Sequence, residues 1–290
     1  MSYRGLDGVD DRWEWNPDML ALRGGIERAF ERDLRAQVSV PEPVGFESVD
    51  RTLSWFVAED DGPALSRYVQ RRGTLEQFRE FAVHRSVYQL KEADPHSWAL
   101  PRLGGRAKAA LVEIQFDEYG EGRVERMHSS LFARTLEELD LDDSYGGYVD
   151  HVPATTLATV NLMSLFGLHR RLRGALMGHL AVYEMSSSEA NRRYGDGLRR
   201  HGFGVAATEF YDVHVEADAV HEQIAAVDLC GSLVAEEPEL RDDVLFGAAA
   251  AFALDNRAAG AVLGCWQGGR ISLRYPLTPT AAIPWVSGAA

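Results

Sequence analysis

The sequence predicts an all-α protein built as one helical bundle, and three observations support this fold class. Long segments without proline carry apolar residues at three- and four-residue spacing, which is typical of amphipathic helices. Between residues 102 and 237 the only proline is Pro153. Alternating patterns typical of strands are scarce, and the best of them, residues 270–275, is short. With 290 residues, of which 46% are hydrophobic, the chain is long enough to bury a sizeable core.

The same periodicity predicts the individual helices. They are expected near residues 17–37, 64–92, 103–138, 153–184, 187–200, 205–229 and 238–265. Pro63, Pro153 and Pro238 stand near three of these starts, where the first helical turn tolerates proline. The run Ser186–Glu189 predicts a further start, because serine caps helix N-termini and an acid is favourable in the first turn. Val40–Glu59 is expected to be a connection.

These elements predict three regions along the chain. Residues 1–60 form an N-terminal helix and a connection packed on the core, residues 61–268 form the main helical domain, and residues 269–290 form an irregular C-terminal tail. The last region is rich in proline and lacks a helical pattern.

Charge and composition exclude several classes of function. The net charge of −14 disfavours nucleic-acid binding, since such a surface repels phosphate backbones. Cys230 and Cys265 make neither a disulfide framework nor a zinc knuckle, which fits a reducing compartment. The first residues lack the apolar run of a signal peptide, and the longest apolar stretches, Ala154–Leu168 and Val244–Leu254, fall short of the roughly 20 residues of a membrane helix. We therefore expect a cytoplasmic protein with no nucleic-acid or membrane partner.

The strongest chemical signal is a stripe of His214, Asp218 and His221. Their i, i+4, i+7 spacing places them within about 60° of one another around a helix. Val213 and Ala217 are among the apolar residues around them, so the stripe is predicted to face inward, where ionisable groups need a partner or a metal. A solvated polar face is the alternative. Helical bundles that project Glu and His inward from several helices are a recurring way to build a di-iron carboxylate site.

Several segments together resemble the haem-oxygenase-like di-iron oxidases and oxygenases, also called iron-containing redox enzymes. These segments are Lys91–His96, Ala110–Gly120, Met127–His128 and the His214 stripe, and the resemblance extends over about residues 60–260. It looks closest to the N-oxygenating branch, whose pattern implies two irons held by three histidines and four carboxylates. In this chain that pattern falls on Glu92, Glu118, His128, Glu184, His214, Asp218 and His221. By the same resemblance, Glu118, Glu184, His214 and Asp218 are the expected catalytic residues.

One ligand remains open when the residues are considered by themselves. Glu118 and His128 are ten residues apart, so an ideal helix would separate them by about 80°. Glu121 would lie only about 20° from His128, and Glu125 would form the Glu-x-x-His motif of ferritin-like sites. Gly120 and Gly122 interrupt this segment and could loosen the helix. Helical geometry favours Glu121 or Glu125, whereas the resemblance favours Glu118.

The resemblance also implies a function. Two iron ions would activate O2 and N-oxygenate a small amine or amino-acid-like metabolite in secondary metabolism. Electrons would come from an external electron donor, because the sequence shows no flavin or nicotinamide motif. A homodimer is expected, as helical bundles of this kind often pair. The alternatives are a di-iron desaturase or C–C lyase acting on a fatty acid or amino acid, and a non-enzymatic iron-binding or scaffold protein.

Six further residues are possible contributors. Arg192-Arg193-Tyr194 follows Glu184 and is a candidate for contact with an anionic substrate group. His179 is expected on the same helix as Glu184, where it could support the ligands. Asp212 and Glu216 flank His214 and are candidates to accept the second ring N–H of a ligating histidine.

Overall fold

The computed structural model describes residues 5, 6, 8–40 and 48–277, apart from the side chains of residues 218 and 219. Regular structure throughout these residues is helical and includes no strand, which confirms the predicted all-α class. The α-helices are α1 (Pro17–Gln37), α2 (Val49–Glu59), α3 (Leu65–Arg71), α4 (Leu75–Gln89), α5 (Asp94–Ser97), α6 (Gly105–Glu118), α7 (His128–Glu138), α8 (Ala154–Leu168), α9 (Arg173–Arg200), α10 (Val205–Gln223), α11 (Ser232–Glu236) and α12 (Arg241–Gln267). A π-helix, Ile224–Gly231, continues α10, and short 3-10 turns join several other elements.

Helix α9 forms the centre of the bundle and packs against α3, α10 and α12. It meets α12 at two glycines. A Cβ atom added to Gly178 would lie 1.8 Å from the carbonyl oxygen of Val244, and one added to Gly247 would lie 1.9 Å from the carbonyl oxygen of Ala175. The two backbones therefore touch, and this approach fixes α9 against α12.

Several of the predicted helix boundaries are wrong. The predicted helix 64–92 divides at Gly73, and α4 then begins with a capping box in which Thr74 and Gln77 bond one another's backbone N–H. The predicted break between residues 184 and 187 does not occur, because α9 runs continuously through the serine run. Ser186 instead donates its hydroxyl to the carbonyl oxygen of Val182, which keeps the serine compatible with a helix interior. The chain breaks earlier, between α8 and α9.

The predicted connection Val40–Glu59 is also wrong where it can be compared. Residues 41–47 lie outside the described residues, but Val49–Glu59 forms α2. This helix buries Val49, Leu53 and Phe56 in the core shared by α6, α9 and α12. Its apolar residues recur at helical spacing, and burial against the bundle stabilises the helix.

The ends of the described chain are tied to the bundle. Leu34 of α1 is buried in the main core. Residues 268–277, the described part of the chain after α12, have no regular structure, yet the backbone N–H and hydroxyl of Ser272 both donate to the carboxylate of Glu80. Residues 278–290 of the predicted tail lie outside the described residues. Within the part of the chain that the structure describes, no helix combines the length and apolar character that crossing a membrane requires.

Candidate metal centre

The chain reverses between α6 and α7, and this reversal builds the centre of the site. Gly120, Glu121 and Gly122 all have positive φ angles, of 63°, 55° and 80°. A Cβ atom at Gly120 would lie 2.5 Å from the backbone of Arg126, so only glycine fits there. As a result Glu118, the last residue of α6, places Oε1 3.1 Å from Nδ1 of His128, the first residue of α7.

The continuous helix predicted over 103–138 is therefore wrong, and the angular objection to Glu118 disappears with it. The other two acids point elsewhere. Glu121 pairs with Arg126 at 3.0 Å, and Glu125 is exposed. Glu118 is the acid that lies beside His128.

A first group of possible metal ligands contains Glu92, Glu118, His128 and His214, each offering one donor atom within 4.8 Å of the others. Glu92 lies in the turn that follows α4, and its Oε2 is 3.5 Å from Nε2 of His214. His214 donates its Nδ1–H to the carbonyl oxygen of Phe210 at 2.7 Å, so Nε2 is the atom directed towards Glu92.

A second group contains Glu118, Glu184 and His221. Glu184 projects from α9, and its Oε2 lies 3.1 Å from Nδ1 of His221 on α10. The other ring nitrogen of His221, Nε2, lies 3.0 Å from Oδ2 of Asp117. Glu118 belongs to both groups, so the two sets of donors adjoin one another.

The structure thus brings together six of the seven residues predicted as ligands. His214 and His221 are both buried, as the apolar surroundings of the stripe predict. Asp218 lies between them on α10, but its side chain is outside the described residues, and its role remains a prediction.

Comparison with known proteins shows the family of this chain. The profile of the iron-containing redox enzymes matches residues 79–256, more than half of the chain. The chain belongs to the iron-containing redox enzyme family. It is also 30% identical over 146 residues to the nitrosourea synthase of Streptomyces achromogenes subsp. streptozoticus. That match covers 50% of this chain and 31% of the relative, so the chain spans under a third of the relative's length.

The electrostatics of this iron-containing redox enzyme suit a cation. Oε2 of Glu92 and Oε2 of Glu118 are buried and accept no hydrogen bond within the described structure. Buried oxygens of this kind normally have a partner, and a metal ion would supply one. Carboxylate and imidazole donors together are a set that iron accepts. The residues therefore fit the metal that the family name implies.

Burial and pairing set the protonation of the metal-free site. Burial opposes ionisation of Glu118, but the neighbouring charge and hydrogen bond of His128 prevail and lower its pKa to about 2. Burial raises the pKa of Glu184, and its bond to His221 only partly opposes this effect. Burial also disfavours the charged form of His221, yet its contacts with Glu184 and Asp117 outweigh burial and raise its pKa to about 9.

The structure corrects the predicted supporting residues of the iron-containing redox enzyme. Asp212 accepts from Arg199 at 2.6 Å and Glu216 is exposed, so neither supports a ligating histidine. Instead, the carbonyl oxygen of Phe210 contacts the ring of His214, and Asp117 contacts the ring of His221. The sequence analysis missed Asp117, because the family pattern falls on its neighbour Glu118 and includes no residue at position 117.

His179 is fully buried but lies in neither ligand group. Its Nδ1 lies 3.2 Å from Nε2 of His96, and burial lowers the pKa of His96 to about 4. Two neutral imidazoles can share one hydrogen bond, and His96 of this pair lines the cavity that the donors also line.

A cavity of about 510 Å³ connects the donors with the surface. Glu92, Glu118, Glu184 and His214 form part of its lining. The cavity wall also carries other charged and aromatic groups, namely Arg67, Arg85, Tyr88, Tyr183, Glu189, Arg193, Tyr194 and Asp255. A small molecule in this cavity would lie against the candidate ligands.

Proposed function

We propose that this iron-containing redox enzyme is a di-iron oxygenase that uses O2 to N-oxygenate a small amine or amino-acid-like metabolite. The observation that carries the proposal is the pair of donor groups joined by Glu118. Glu92, Glu118, His128 and His214 would hold one iron, and Glu118, Glu184 and His221 would hold the other, with Asp218 completing the set. Iron bound there supplies the electrons that activate O2, which reacts slowly with most organic molecules without a metal.

The chain's own residues prepare the site for this chemistry. The bond from His214 to the carbonyl oxygen of Phe210 fixes the ring so that Nε2 faces the first group. His221 is held between Glu184 and Asp117, so its ring is oriented before metal arrives. The buried ring of His128 packs 4.3 Å from that of His214 and limits access of water to this side.

The cavity favours a small polar substrate over a fatty acid. Its lining mixes acids, arginines and tyrosines, whereas an acyl chain requires a long apolar channel. The similarity to a nitrosourea synthase supports nitrogen as the oxidised atom. An external electron donor and a homodimeric assembly complete the proposal.

The decisive experiment is anaerobic addition of two ferrous equivalents to the metal-free protein, followed by O2 in a stopped-flow spectrometer. We expect a transient visible absorption band whose decay quickens with an amine substrate. His214→Ala should abolish the band. Glu121→Ala changes an acid of the reversal between α6 and α7 that pairs with Arg126, and it should retain the band.

Three results would contradict the proposal. Iron binding without O2 consumption would favour an iron-binding or scaffold protein. Decay quickened by a fatty acid, with an alkene as product, would favour the desaturase or lyase class. An unchanged trace in His214→Ala would remove that histidine from the ligand set.

A further inference from the structure

A second, smaller cavity adjoins the main cavity that the metal ligands line. Its volume is about 50 Å³, against about 510 Å³ for the main cavity. The small cavity lies among α3, α4, α8, α9 and α12, and its apolar lining comprises Leu65, Phe81, Val160, Ala258, Ala259 and Val262. Four residues line both cavities and form a common wall, namely Arg85, Tyr88, Tyr183 and Asp255.

The two cavities differ in the hydrogen bonding of their walls. In the main cavity, four lining residues carry a buried oxygen without a hydrogen-bond partner, namely Gln89, Glu92, Gln115 and Glu118. Among the residues that the structure describes, none that lines the small cavity has a buried polar side-chain atom in that state. The charged residues of the common wall interact with tyrosines, Arg85 with Tyr194 and Asp255 with Tyr183.

The other polar groups of the small cavity also bond within the protein. Nδ1 of His84 lies 2.8 Å from Oγ1 of Thr156, and its Nε2 lies 3.0 Å from Oγ of Ser272. Thr159 donates its hydroxyl to the carbonyl oxygen of Thr156 at 2.9 Å. A buried water molecule is held by two to four polar groups that need a partner, whereas a cavity without such groups stays dry and accepts apolar molecules. The small cavity is therefore suited to an apolar occupant.

The size of the small cavity limits that occupant to a small molecule. Its volume exceeds the roughly 10–15 Å³ that one water molecule requires, but it is well below the roughly 150 Å³ of an apolar cavity that binds benzene. O2 is small and apolar, and transfer of an apolar molecule from water into apolar surroundings is favourable. Thr159 and Ala258 line the cavity and are partly exposed, so a gas can enter there from the surface.

Two tyrosines separate the small cavity from the metal ligands. The rings of Tyr88 and Tyr183 make an edge contact with their centroids 6.0 Å apart, and both residues line both cavities. Tyr88 precedes Glu92 by four residues, and Tyr183 directly precedes Glu184. The charges of Glu92, Glu118 and Glu184 all act on Tyr88 and raise its pKa. A molecule that passes between the two rings therefore arrives at both ligand groups.

We propose that the small cavity binds dioxygen and passes it between Tyr88 and Tyr183 to the metal ligands. The organic substrate uses the main cavity, so O2 has a path of its own when that cavity is occupied. Rotation of exposed side chains takes picoseconds to nanoseconds, and slower fluctuations of buried rings are sufficient to admit a diatomic molecule. This inference rests on the proposed function for the use of O2, but binding of a gas in the small cavity does not require iron.

The first test uses crystals of the metal-free full-length protein under xenon pressure. Xenon is an apolar probe of dry cavities, and its anomalous scattering locates it. We expect a xenon atom in the small cavity beside Val160 and Ala259. An ordered water molecule in the small cavity, with no xenon there, would overturn the inference.

The second test fills the small cavity. Ala259→Leu places a larger side chain in its lining, and it should lose the xenon atom. In the iron-loaded protein the same variant should lower the second-order rate constant for reaction with O2 severalfold, as measured by stopped-flow absorption over a range of O2 concentrations. The control Ala261→Leu changes an exposed residue of the same helix and should match the wild type in both measurements. Thr159→Leu fills the cavity from α8 if Ala259→Leu does not fold.

Failure of the inference and failure of the proposed function give different results. A filled cavity that leaves the rate constant for O2 unchanged, at equal iron content, would overturn the inference and leave the oxygenase in place. Xenon bound in the wild type and lost in Ala259→Leu, without O2 consumption by the iron-loaded wild type, would keep the gas site and remove the oxygenase.

Discussion

Metal binding at the second ligand group should compete with a proton on His221. The pKa of this histidine is about 9 because its contacts with Glu184, at 3.1 Å, and Asp117, at 3.0 Å, outweigh burial. A metal requires the neutral imidazole. At pH 7 only about 1% of His221 is neutral, so the apparent affinity is about 100-fold below its limit and should rise about tenfold per pH unit up to about pH 9.

The raised pKa of His221 also makes the stability of the folded protein depend on pH. The pKa of His221 is raised above its ordinary value of 6.5, so the protonated form stabilises the metal-free fold fully below about pH 6.5. That contribution is lost as the pH rises through about 9. Metal should therefore stabilise the protein most at the alkaline end of this range.

Asp117→Asn is the informative perturbation, because it removes one of the two carboxylates that favour the charged histidine. We expect Mn²⁺ to bind the variant more tightly than the wild type at pH 7, and the difference to vanish near pH 9. Calorimetry in buffers of different ionisation enthalpy counts the proton released on binding. Glu113→Gln changes an exposed acid of the same helix and serves as the control.

The reasoning would be refuted by a wild-type Mn²⁺ affinity that stays constant between pH 6.5 and 9 with no proton released. Weaker binding by Asp117→Asn at pH 7 would also contradict it, since that result would make Asp117 a ligand and not a competitor for the histidine.

Three further predictions follow from other contacts. Glu118→Ala should lose iron at both positions while Glu121→Ala keeps it, as counted by a colorimetric iron assay, and retention of both irons in Glu118→Ala would exclude a shared carboxylate. Burial lowers the pKa of His84 to about 4, so protonation of this histidine in the unfolded state should reduce the free energy of unfolding by about 2 kcal/mol between pH 7.5 and 5. Urea titrations of His84→Gln should lack this pH-dependent loss. An equal loss in the wild type and the variant would contradict the prediction. Gly178→Ala should lower the free energy of unfolding by about 3 kcal/mol or more because its Cβ would meet the backbone of α12, whereas Gly264→Ala, which faces open space, should be neutral or slightly stabilising in the same titration.

The local pattern of the chain was sufficient to predict the all-α class and the face of α10 that is buried. His214 and His221 are buried because their neighbours on that face are apolar, and apolar periodicity is a property of sequence. The serines Ser186–Ser188 led to the wrong prediction of a helix start. Serine is compatible with a helix interior when its hydroxyl donates to a carbonyl oxygen of the preceding turn. Tertiary packing along α9 as a whole outweighed the weak capping preference of these serines.

The choice among Glu118, Glu121 and Glu125 shows the limit of helical geometry. All three precede His128 in one acidic segment, and an angular argument assumes a continuous helix. The positive φ angles at residues 120–122 break that helix and turn Glu118 back towards His128. Glycine permits such a reversal but does not require it, so the sequence left the question open.

The sequence by itself determined which residue types were available and which faces of the helices were apolar, because both follow from the order of side chains along one helix. Only the tertiary structure decided that donors from α6, α7, α9, α10 and the turn after α4 meet at Glu118, that Asp117 holds His221, and that Arg85 and Asp255 share the cavity. Those relations join residues distant along the chain, and their distances depend on how the helices cross, which no local pattern records.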